Sequence, residues 1–414
     1  VATAEVPDGR TVFIHRFDST PTGLLRSGSS LLLESSDPEI GDEVKPDQND
    51  QRTSTKVQVA RYGRRLFHSL FGNGEDLNTY LKAQDAEEPV DLEISIGSGA
   101  TSLSRLPWEY LHNGRYFLAL DDRIRLSRTP DSLGMLTPRS TSRPLRILVI
   151  IPFPKDQPVL DYEEELISLH KALSAPLEGG NLQLHVLSEA TQRALYDELQ
   201  RGNYQVLHYL GHSTYDLKQR QGFLRFEGET GLTEWIMGQE FTDLIKGSGL
   251  QFLVLQAYQD APIGMIDAFN DVAAKALRRE IPEVLTVPVG LPKISSRTLQ
   301  RVLYTDLGKG ASTVAAVDKS RRALQELDRA QDPKDWRFDW GVPMLYRRAH
   351  PYPLVRQEVE AAVTTHGQAR DVTPPMTNRS EEIRAMRGAQ QKGVRIFYIW
   401  GKAGIGKSRL VKNL

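Results

Sequence analysis

Two short segments carry side chains that could do chemistry together, and each follows an apolar run. The first is His208-Tyr209-Leu210-Gly211-His212-Ser213, and the second covers residues 256–260, Gln-Ala-Tyr-Gln-Asp. A histidine at the end of a strand can serve as general base for a nucleophile on the neighbouring strand. The central position of the second segment is Tyr258, and the chain contains no cysteine. His212 and Tyr258 are therefore the first candidate catalytic pair.

The spacing of the two segments follows a known cysteine-protease pattern. Caspases carry Gln-Ala-Cys followed by Arg, Gln or Gly, with the catalytic His about 50 residues upstream. Here Tyr258 stands at the cysteine position, Asp260 follows where a glycine is usual, and His212 lies 46 positions before Tyr258. This pattern predicts that the two side chains come from adjacent parallel strands and face one cleft. Gly211 is expected to allow a sharp turn before His212.

Tyrosine at the nucleophile position argues against a working thiol protease. Its ordinary pKa is about 10, against about 8.5 for cysteine, so a phenolate is scarce at neutral pH, and the ring would fill a cysteine-sized slot. Ser213 is an alternative nucleophile, although it adjoins its base on the chain. His208 and His212 could form a metal pair, but a metalloprotease helix would carry Glu where Tyr209 stands. His208 is otherwise expected to be a buried packing or hydrogen-bonding residue.

A second motif lies near the end of the sequence. Residues 401–408, Gly-Lys-Ala-Gly-Ile-Gly-Lys-Ser, match the Walker A phosphate-binding loop in full. The glycines would bring backbone amides to the phosphates, the lysine would reach the β- and γ-phosphates, and the serine would hold Mg²⁺. The nucleotide-binding residues would be Gly401, Gly404, Gly406, Lys407 and Ser408.

The phosphate loop predicts ATP and Mg²⁺ as cofactors of a full-length protein. A working P-loop domain also needs a second strand with a Walker B aspartate, and Leu414 ends the sequence before one. Neither cofactor is therefore expected to bind tightly to residues 1–414 alone.

The elements that must position these residues alternate between strands and helices. Continuous apolar runs such as 145–151, 206–210, 251–255 and 283–289 are typical of strands buried on both faces of a parallel sheet. Amphipathic stretches lie between them. The pattern predicts an α/β fold with a doubly wound, mostly parallel sheet flanked by helices, whose chemistry lies at the carboxyl ends of the strands.

The organisation along the chain predicts four parts. Residues 1–140 form an N-terminal α/β part, with a helix around Tyr62 to Phe71, a strand from Val90 to Ile96 and a hairpin turn at Asn113-Gly114. The doubly wound domain covers 145–350, a proline-containing linker covers 351–375, and residues 376–414 begin a truncated P-loop NTPase domain.

Composition limits the possible partners. Lys and Arg number 52 and Asp and Glu number 53, so the net charge is -1 and no overall field favours nucleic acid or an anionic membrane. No apolar stretch approaches the roughly 18 residues of a membrane span, and no secretory signal is visible, so a cytoplasmic location is expected. The absence of cysteine excludes disulfides, thiolate zinc sites and iron–sulfur clusters for these residues.

The motifs together resemble the CHAT domain, a bacterial caspase-like and separase-related peptidase family. The resemblance covers roughly residues 55–350 and rests on Leu106-Pro107-Trp108-Glu109-Tyr110-Leu111, on the run 146–150 and on the block that ends at His212. It implies a caspase-like fold with an N-terminal pseudo-caspase-like part, and a His/Cys dyad that maps onto His212 and Tyr258. Residues 378–383 and the phosphate loop are similar to STAND-type signalling ATPases.

Three functions follow as hypotheses. The first is a CHAT effector module of a STAND-type NTPase in bacterial signalling or defence, which acts as a pseudo-protease because of Tyr258. The second is a cysteine endopeptidase whose nucleophile has been replaced at this position. The third is a scaffold whose only enzyme is the NTPase. The expected partners are a protein or peptide target, and other copies of the chain through an NTPase domain.

Overall fold

The structure is a computed structural model, and it describes residues 2–5, 11–17, 51–71, 80, 89–96, 106–130, 133–156, 162–258, 266–331 and 336–356. The chain divides into two compact units, Val1–Gln357 and Glu358–Leu414. All described residues belong to the first unit, so the phosphate-loop residues lie outside the described part of the chain.

The strands follow one another closely along the first unit. In chain order they are β1 (Ala2–Glu5), β2 (Thr11–Phe17), β3 (Val90–Ile96), β4 (Ile124–Pro130), β5 (Leu145–Ile150), β6 (Leu182–Val186), β7 (Val206–Gly211), β8 (Ser213–Asp216), β9 (Gln221–Glu227), β10 (Thr233–Met237), β11 (Phe252–Ala257), β12 (Glu283–Val287) and β13 (Met344–Arg347). Ten of them form one sheet in the order β1-β2-β3-β4-β13-β12-β11-β7-β5-β6, and the other three form a small sheet in the order β10-β9-β8.

The helices lie between these strands. They are α1 (Gln51–Phe71), α2 (Tyr162–Glu178), α3 (Gln192–Arg201), α4 (Gly238–Ile245), α5 (Ile266–Arg278), α6 (Lys293–Gly308) and α7 (Thr313–Arg329). Thr191 caps α3 as its sequence predicts, because its hydroxyl accepts a hydrogen bond from the Ala194 N–H at 3.1 Å. Among the described helices, none is long and apolar enough to cross a bilayer.

Neighbouring strands of the large sheet are mostly parallel, which confirms the predicted fold class. Within that sheet β1 pairs with β2 and β12 pairs with β13 in antiparallel orientation, while the other neighbours run parallel. The apolar runs form strands because both faces of the sheet are covered. One core contains residues of α1, α2, α6 and α7, and the other contains residues of α3, α4, α5 and the small sheet.

The large sheet is continuous across the position where sequence analysis divides the first two domains. Strand β13 lies between β12 and β4, and it pairs with β4 through the single register pair Tyr346 and Arg128. The predicted division between residues 140 and 145 therefore falls inside one unit, and it stays a prediction as a domain boundary.

Three local features differ from what the sequence suggests. The turn at Asn113-Gly114 closes an isolated bridge between His112 and Phe117, flanked by 3-10 turns rather than by two strands. The start of the predicted linker is packed, since Leu354 and Val355 are fully buried. The small sheet β8–β10 is absent from the predicted pattern.

Candidate functional site

The two strands that carry the candidate pair are direct neighbours. Strands β7 and β11 run parallel, with Gly211 opposite Ala257, and the Tyr258 N–H donates to the Gly211 carbonyl at 3.1 Å. The rings of His212 and Tyr258 lie 5.7 Å apart between centroids at an interplanar angle of 31°. The predicted adjacency is therefore confirmed, since the two residues follow neighbouring parallel strands at the carboxyl edge of the sheet, where α/β folds place their chemistry. That both side chains face one cleft stays a prediction.

The side chain of Tyr258 is buried rather than exposed to solvent. Its side chain is 6 % exposed and belongs to the hydrophobic core that α2 and α6 cover. A cysteine at the same position would leave most of this volume empty.

Hydrogen bonds from Arg225 and Tyr209 hold the backbone carbonyl of His212 in place. Its carbonyl accepts a hydrogen bond from the Arg225 N–H at 3.0 Å, and the Tyr209 hydroxyl lies 2.7 Å from the same oxygen. Arg225 lies on β9, so the small sheet fixes the position of the segment that follows β7. Tyr209 is completely buried, and burial raises the pKa of its phenol, so the hydroxyl remains a donor.

Glycine is needed at position 211 for a reason other than the sharp turn that the sequence predicts. Gly211 is not among the described glycines with positive φ. A Cβ at this position would instead stand 2.6 Å from the Tyr209 hydroxyl oxygen and 2.7 Å from its Cζ. Glycine is required because the Tyr209 ring folds back over its own strand to reach the His212 carbonyl.

Replacement of Gly211 by alanine is expected to lower the free energy of unfolding by about 1–3 kcal/mol, the usual cost of overpacking a filled core. The methyl group must displace the buried Tyr209 ring and its contact with His212. Urea unfolding measures the loss. Glycine 134 has no atom near its added Cβ, so Gly134→Ala is the matched control and should change stability little. An unchanged Gly211→Ala variant would contradict the close approach.

His208 has the structural role that its sequence position suggests. It is 1 % exposed, and its Nδ1 lies 2.9 Å from the Tyr304 hydroxyl on α6. Burial lowers the pKa of His208 to about 4, with a smaller opposing influence from the Gln256 amide. Its Nε2 has no hydrogen-bond partner. The imidazole is therefore neutral at physiological pH and belongs to the core.

Gln256, the first residue of the protease-like signature, faces the same helix. Its Nε2 donates to the Ser296 hydroxyl at 2.7 Å, and its Oε1 accepts from Gln300 Nε2 at 3.2 Å. All three side chains are buried. This amide therefore anchors β11 to α6 two residues before Tyr258.

The alternative chemistries gain no geometric support. The Ser213 hydroxyl is buried and makes no hydrogen bond among the described residues, so His212 does not accept its proton in this arrangement. In the part of the chain that the structure describes, no group of three His, Asp, Glu or Cys side chains could hold a metal ion. Gln259, Asp260 and the nucleotide-binding residues Gly401, Gly404, Gly406, Lys407 and Ser408 lie outside the described residues.

Sequence reasoning missed the contribution of Tyr209, Arg225 and the small sheet. A usable signal was present, because the runs 222–226 and 233–237 are rich in aromatic and β-branched residues and flank a short segment that contains Gly228 and Gly231. Two such runs around a glycine-containing loop predict a hairpin. Strands β9 and β10 form that hairpin.

Comparison with solved structures finds two of the Saccharomyces cerevisiae separase–securin complex. The structure at 3.0 Å resolution is 14 % identical over 73 % of this chain with a TM-score of 0.36, and the structure at 2.6 Å is 13 % identical over 73 % with a TM-score of 0.35. The chain covers only 19 % and 20 % of the length of those chains. A search among curated proteins gives no significant match.

The sequence itself gives the stronger relationship. Residues 60–370 match the CHAT domain, and this range is more than half of the chain. The match includes both strands that carry His212 and Tyr258. The protein therefore belongs to the CHAT domain family.

Proposed function

We propose that this protein is the CHAT effector module of a STAND-type NTPase in bacterial signalling or defence, and that it acts as a pseudo-protease. In this role the caspase-like domain recognises a protein or peptide target without cleaving it. The proposal extends from family membership to a function through the chemistry at one position, residue 258. Its target, its NTPase context and its cytoplasmic location are parts of the proposal.

The observation that supports the pseudo-protease role is the phenol beside His212. Tyr258 follows the strand that neighbours His212, and its buried ring stands next to the imidazole. A thiol-dependent protease needs an ionisable sulfur at this point, which a phenol with an ordinary pKa of about 10 does not replace. The arrangement retains the base and fills the nucleophile slot.

The NTPase part of the proposal rests on residues 401–408. A complete Walker A sequence would cradle the phosphates of ATP through Gly401, Gly404, Gly406 and Lys407, while Ser408 would ligate Mg²⁺. Such a domain supplies a switch whose nucleotide state could control the CHAT module. Self-association through the NTPase domain would then bring several CHAT modules together.

The substitution Tyr258→Cys tests the pseudo-protease proposal. The new thiol would lie beside the His212 imidazole, which can lower a thiol pKa below its ordinary value of about 8.5. Because the chain has no other cysteine, labelling with iodoacetamide reports this thiol alone. We expect labelling faster than that of free cysteine, with a pH midpoint below about 8.5.

Two controls separate the dyad from simple exposure. Tyr258→Cys in a His212→Ala background should label more slowly, with its midpoint shifted toward that of an ordinary thiol. Tyr196 is 48 % exposed on α3, so Tyr196→Cys supplies a solvent-exposed reference thiol. If the Tyr258→Cys thiol reacts no faster than free cysteine, and His212→Ala changes nothing, the site is not a disarmed dyad.

A cysteine endopeptidase remains the second candidate, because His212 is retained on the adjacent strand. This function requires that Cys, and not Tyr, occupies position 258 in the natural protein. Peptide cleavage by the Tyr258→Cys variant, lost again on His212→Ala, would favour it. Such a result would also show that the remaining substrate pocket is intact.

A further inference from the structure

The weakest backbone pairing in the large sheet lies between its fourth and fifth strands, β4 and β13. Strand β13 pairs with β12 at four positions but with β4 at only one, Tyr346 with Arg128. We call this boundary between β4 and β13 the seam. Since few main-chain hydrogen bonds cross the seam, side-chain contacts must hold strands β3 and β4 to the rest of the sheet.

One of these contacts is a buried triplet of charged residues. Arg347 on β13 places Nε 3.1 Å from Glu283 Oε1 and Nη1 3.7 Å from Glu93 Oε1. Glu283 lies on β12 and Glu93 lies across the seam on β3. Their side chains are 0 % and 5 % exposed, and that of Arg347 is 1 % exposed. Two carboxyl groups therefore share one guanidinium away from water.

Among the described residues, the hydrogen-bond partners of the triplet carry no second positive charge. Thr313 at the start of α7 donates to Glu283, Thr129 on β4 donates to Glu93 at 3.2 Å, and Arg347 reaches the Ser127 hydroxyl and the Ala349 carbonyl. Tyr352 also interacts electrostatically with Glu283 and Arg347, and burial raises the pKa of its phenol. These partners are hydroxyls and a carbonyl, so they cannot balance a second carboxylate.

Other buried carboxylates near the seam have an arginine each. Asp91 pairs with Arg125 at 2.7 Å, and Glu109 pairs with Arg128 at 2.6 Å. The triplet is different because its formal charge is negative when both carboxyl groups are ionised. A net charge in a buried site is costly, and a carboxyl group avoids the cost by keeping its proton.

Of the two carboxyl groups, Glu283 is the more deeply buried, and burial favours its protonated form. Glu283 is completely buried, and burial raises its pKa to about 7, opposed by Arg347 and Thr313 and increased further by Glu93. Arg347 lies closer to Glu283 than to Glu93, so an ionised Glu283 competes with Glu93 for the same guanidinium. The competition weakens the ion pair between Arg347 and Glu93, which crosses the seam beside the contact of Arg347 with Ser127 on β4.

We propose that Glu93, Arg347 and Glu283 form a proton-binding site, and that release of its proton as the pH rises loosens the attachment of β3 and β4 across the seam. When the seam opens, water reaches Glu283 and its carboxyl group ionises at its ordinary pH. Opening therefore releases one proton, and the opening equilibrium rises with pH until Glu283 is already ionised in the closed state.

Hydrogen exchange on β3 and β4 tests the proposal in the intact protein. After correction for intrinsic exchange rates, the wild-type opening constant should rise by about tenfold per pH unit between about pH 5 and pH 7, and then level off. In Glu283→Gln this contribution should vanish. Asp318, another buried carboxyl whose burial raises its pKa to about 7, is unchanged in the variant, so the difference between the two proteins isolates Glu283.

Two further variants make the result decisive. Glu93→Gln removes the excess negative charge and should flatten the same slope while Glu283 remains in place. Glu326→Gln on the exposed face of α7 is the matched control, and it should leave the slope unchanged. If Glu283→Gln folds poorly, infrared spectroscopy at pH 6 compares wild type with Glu93→Gln, which leaves Asp318 in place and should show a weaker band of protonated carboxylic acid. A wild-type slope that survives in both triplet variants, or a band of equal strength in wild type and Glu93→Gln, would overturn the proposal.

Discussion

Replacement of Glu109 by alanine is expected to lower the free energy of unfolding by about 3–5 kcal/mol, the usual effect of breaking a buried ion pair. The Glu109 carboxylate accepts two hydrogen bonds from Arg128, from Nη2 at 2.6 Å and from Nε at 3.1 Å. Arg321 Nη2 lies 3.9 Å from the same carboxylate. These three side chains are 0–1 % exposed. The variant would leave the guanidinium of Arg128 in the core without the carboxylate that balances it.

Urea unfolding at neutral pH measures this loss, with two comparisons. Glu326→Ala breaks an exposed pair with Arg329 and should cost less than about 1 kcal/mol. Combining Glu109→Met with Arg128→Met should recover much of the stability, because the double variant removes both charges of this pair while Arg321 keeps Asp318 at 2.7 Å. If Glu109→Ala were no more harmful than Glu326→Ala, the buried pair would not support the fold as described.

Acidification is expected to destabilise the protein through His208. The pKa of this buried imidazole is about 4 in the folded protein and about 6.5 in an unfolded chain. Because the folded value is the lower one, the unfolded state takes up the proton first as the pH falls. The free energy of unfolding should therefore decline between about pH 6.5 and pH 4, by about 3 kcal/mol in total.

A His208→Asn variant tests this origin of acid sensitivity. Asparagine can place its carboxamide oxygen where Nδ1 meets the Tyr304 hydroxyl, and it does not titrate. Unfolding curves at several pH values should show a flatter acid limb than wild type. His170 lies exposed on α2, so His170→Asn should keep the wild-type profile. Since Glu283 contributes a slope of opposite sign, the comparison is made between variants, and an unchanged acid limb in His208→Asn would contradict the assignment.

The segment Leu106-Pro107-Trp108-Glu109-Tyr110-Leu111 shows how a family motif can be structural. Trp108 is fully buried, and the Tyr110 hydroxyl donates to the Phe338 carbonyl at 2.8 Å. This segment packs directly against Gly63 on α1, because a Cβ added to Gly63 would lie 2.0 Å from the Tyr110 carbonyl oxygen. The residues of this family motif therefore stabilise the fold of the N-terminal part, and their contacts indicate no second catalytic site.

The sequence was sufficient to place the candidate pair because its signals are local. Continuous apolar runs are typical of strands covered on both faces, and neighbouring parallel strands end at the same edge of a sheet. The runs 206–210 and 251–255 therefore brought His212 and Tyr258 to one edge, as β7 and β11 do. The absence of cysteine excluded a thiol nucleophile at that edge without any structure.

Tertiary structure decided how the parts are joined. The antiparallel direction of β13, the single pair across the seam and the sharing of Arg347 by Glu93 and Glu283 connect residues far apart in the chain. Charged residues at these positions look like solvated surface residues, because hydrophobic periodicity records which face is buried but not which distant partner neutralises a charge. Sequence alone therefore determined several strands of the large sheet, the candidate pair and the absence of a thiol at residue 258, whereas only the folded chain determined the buried ion pairs, since these depend on strand order and register.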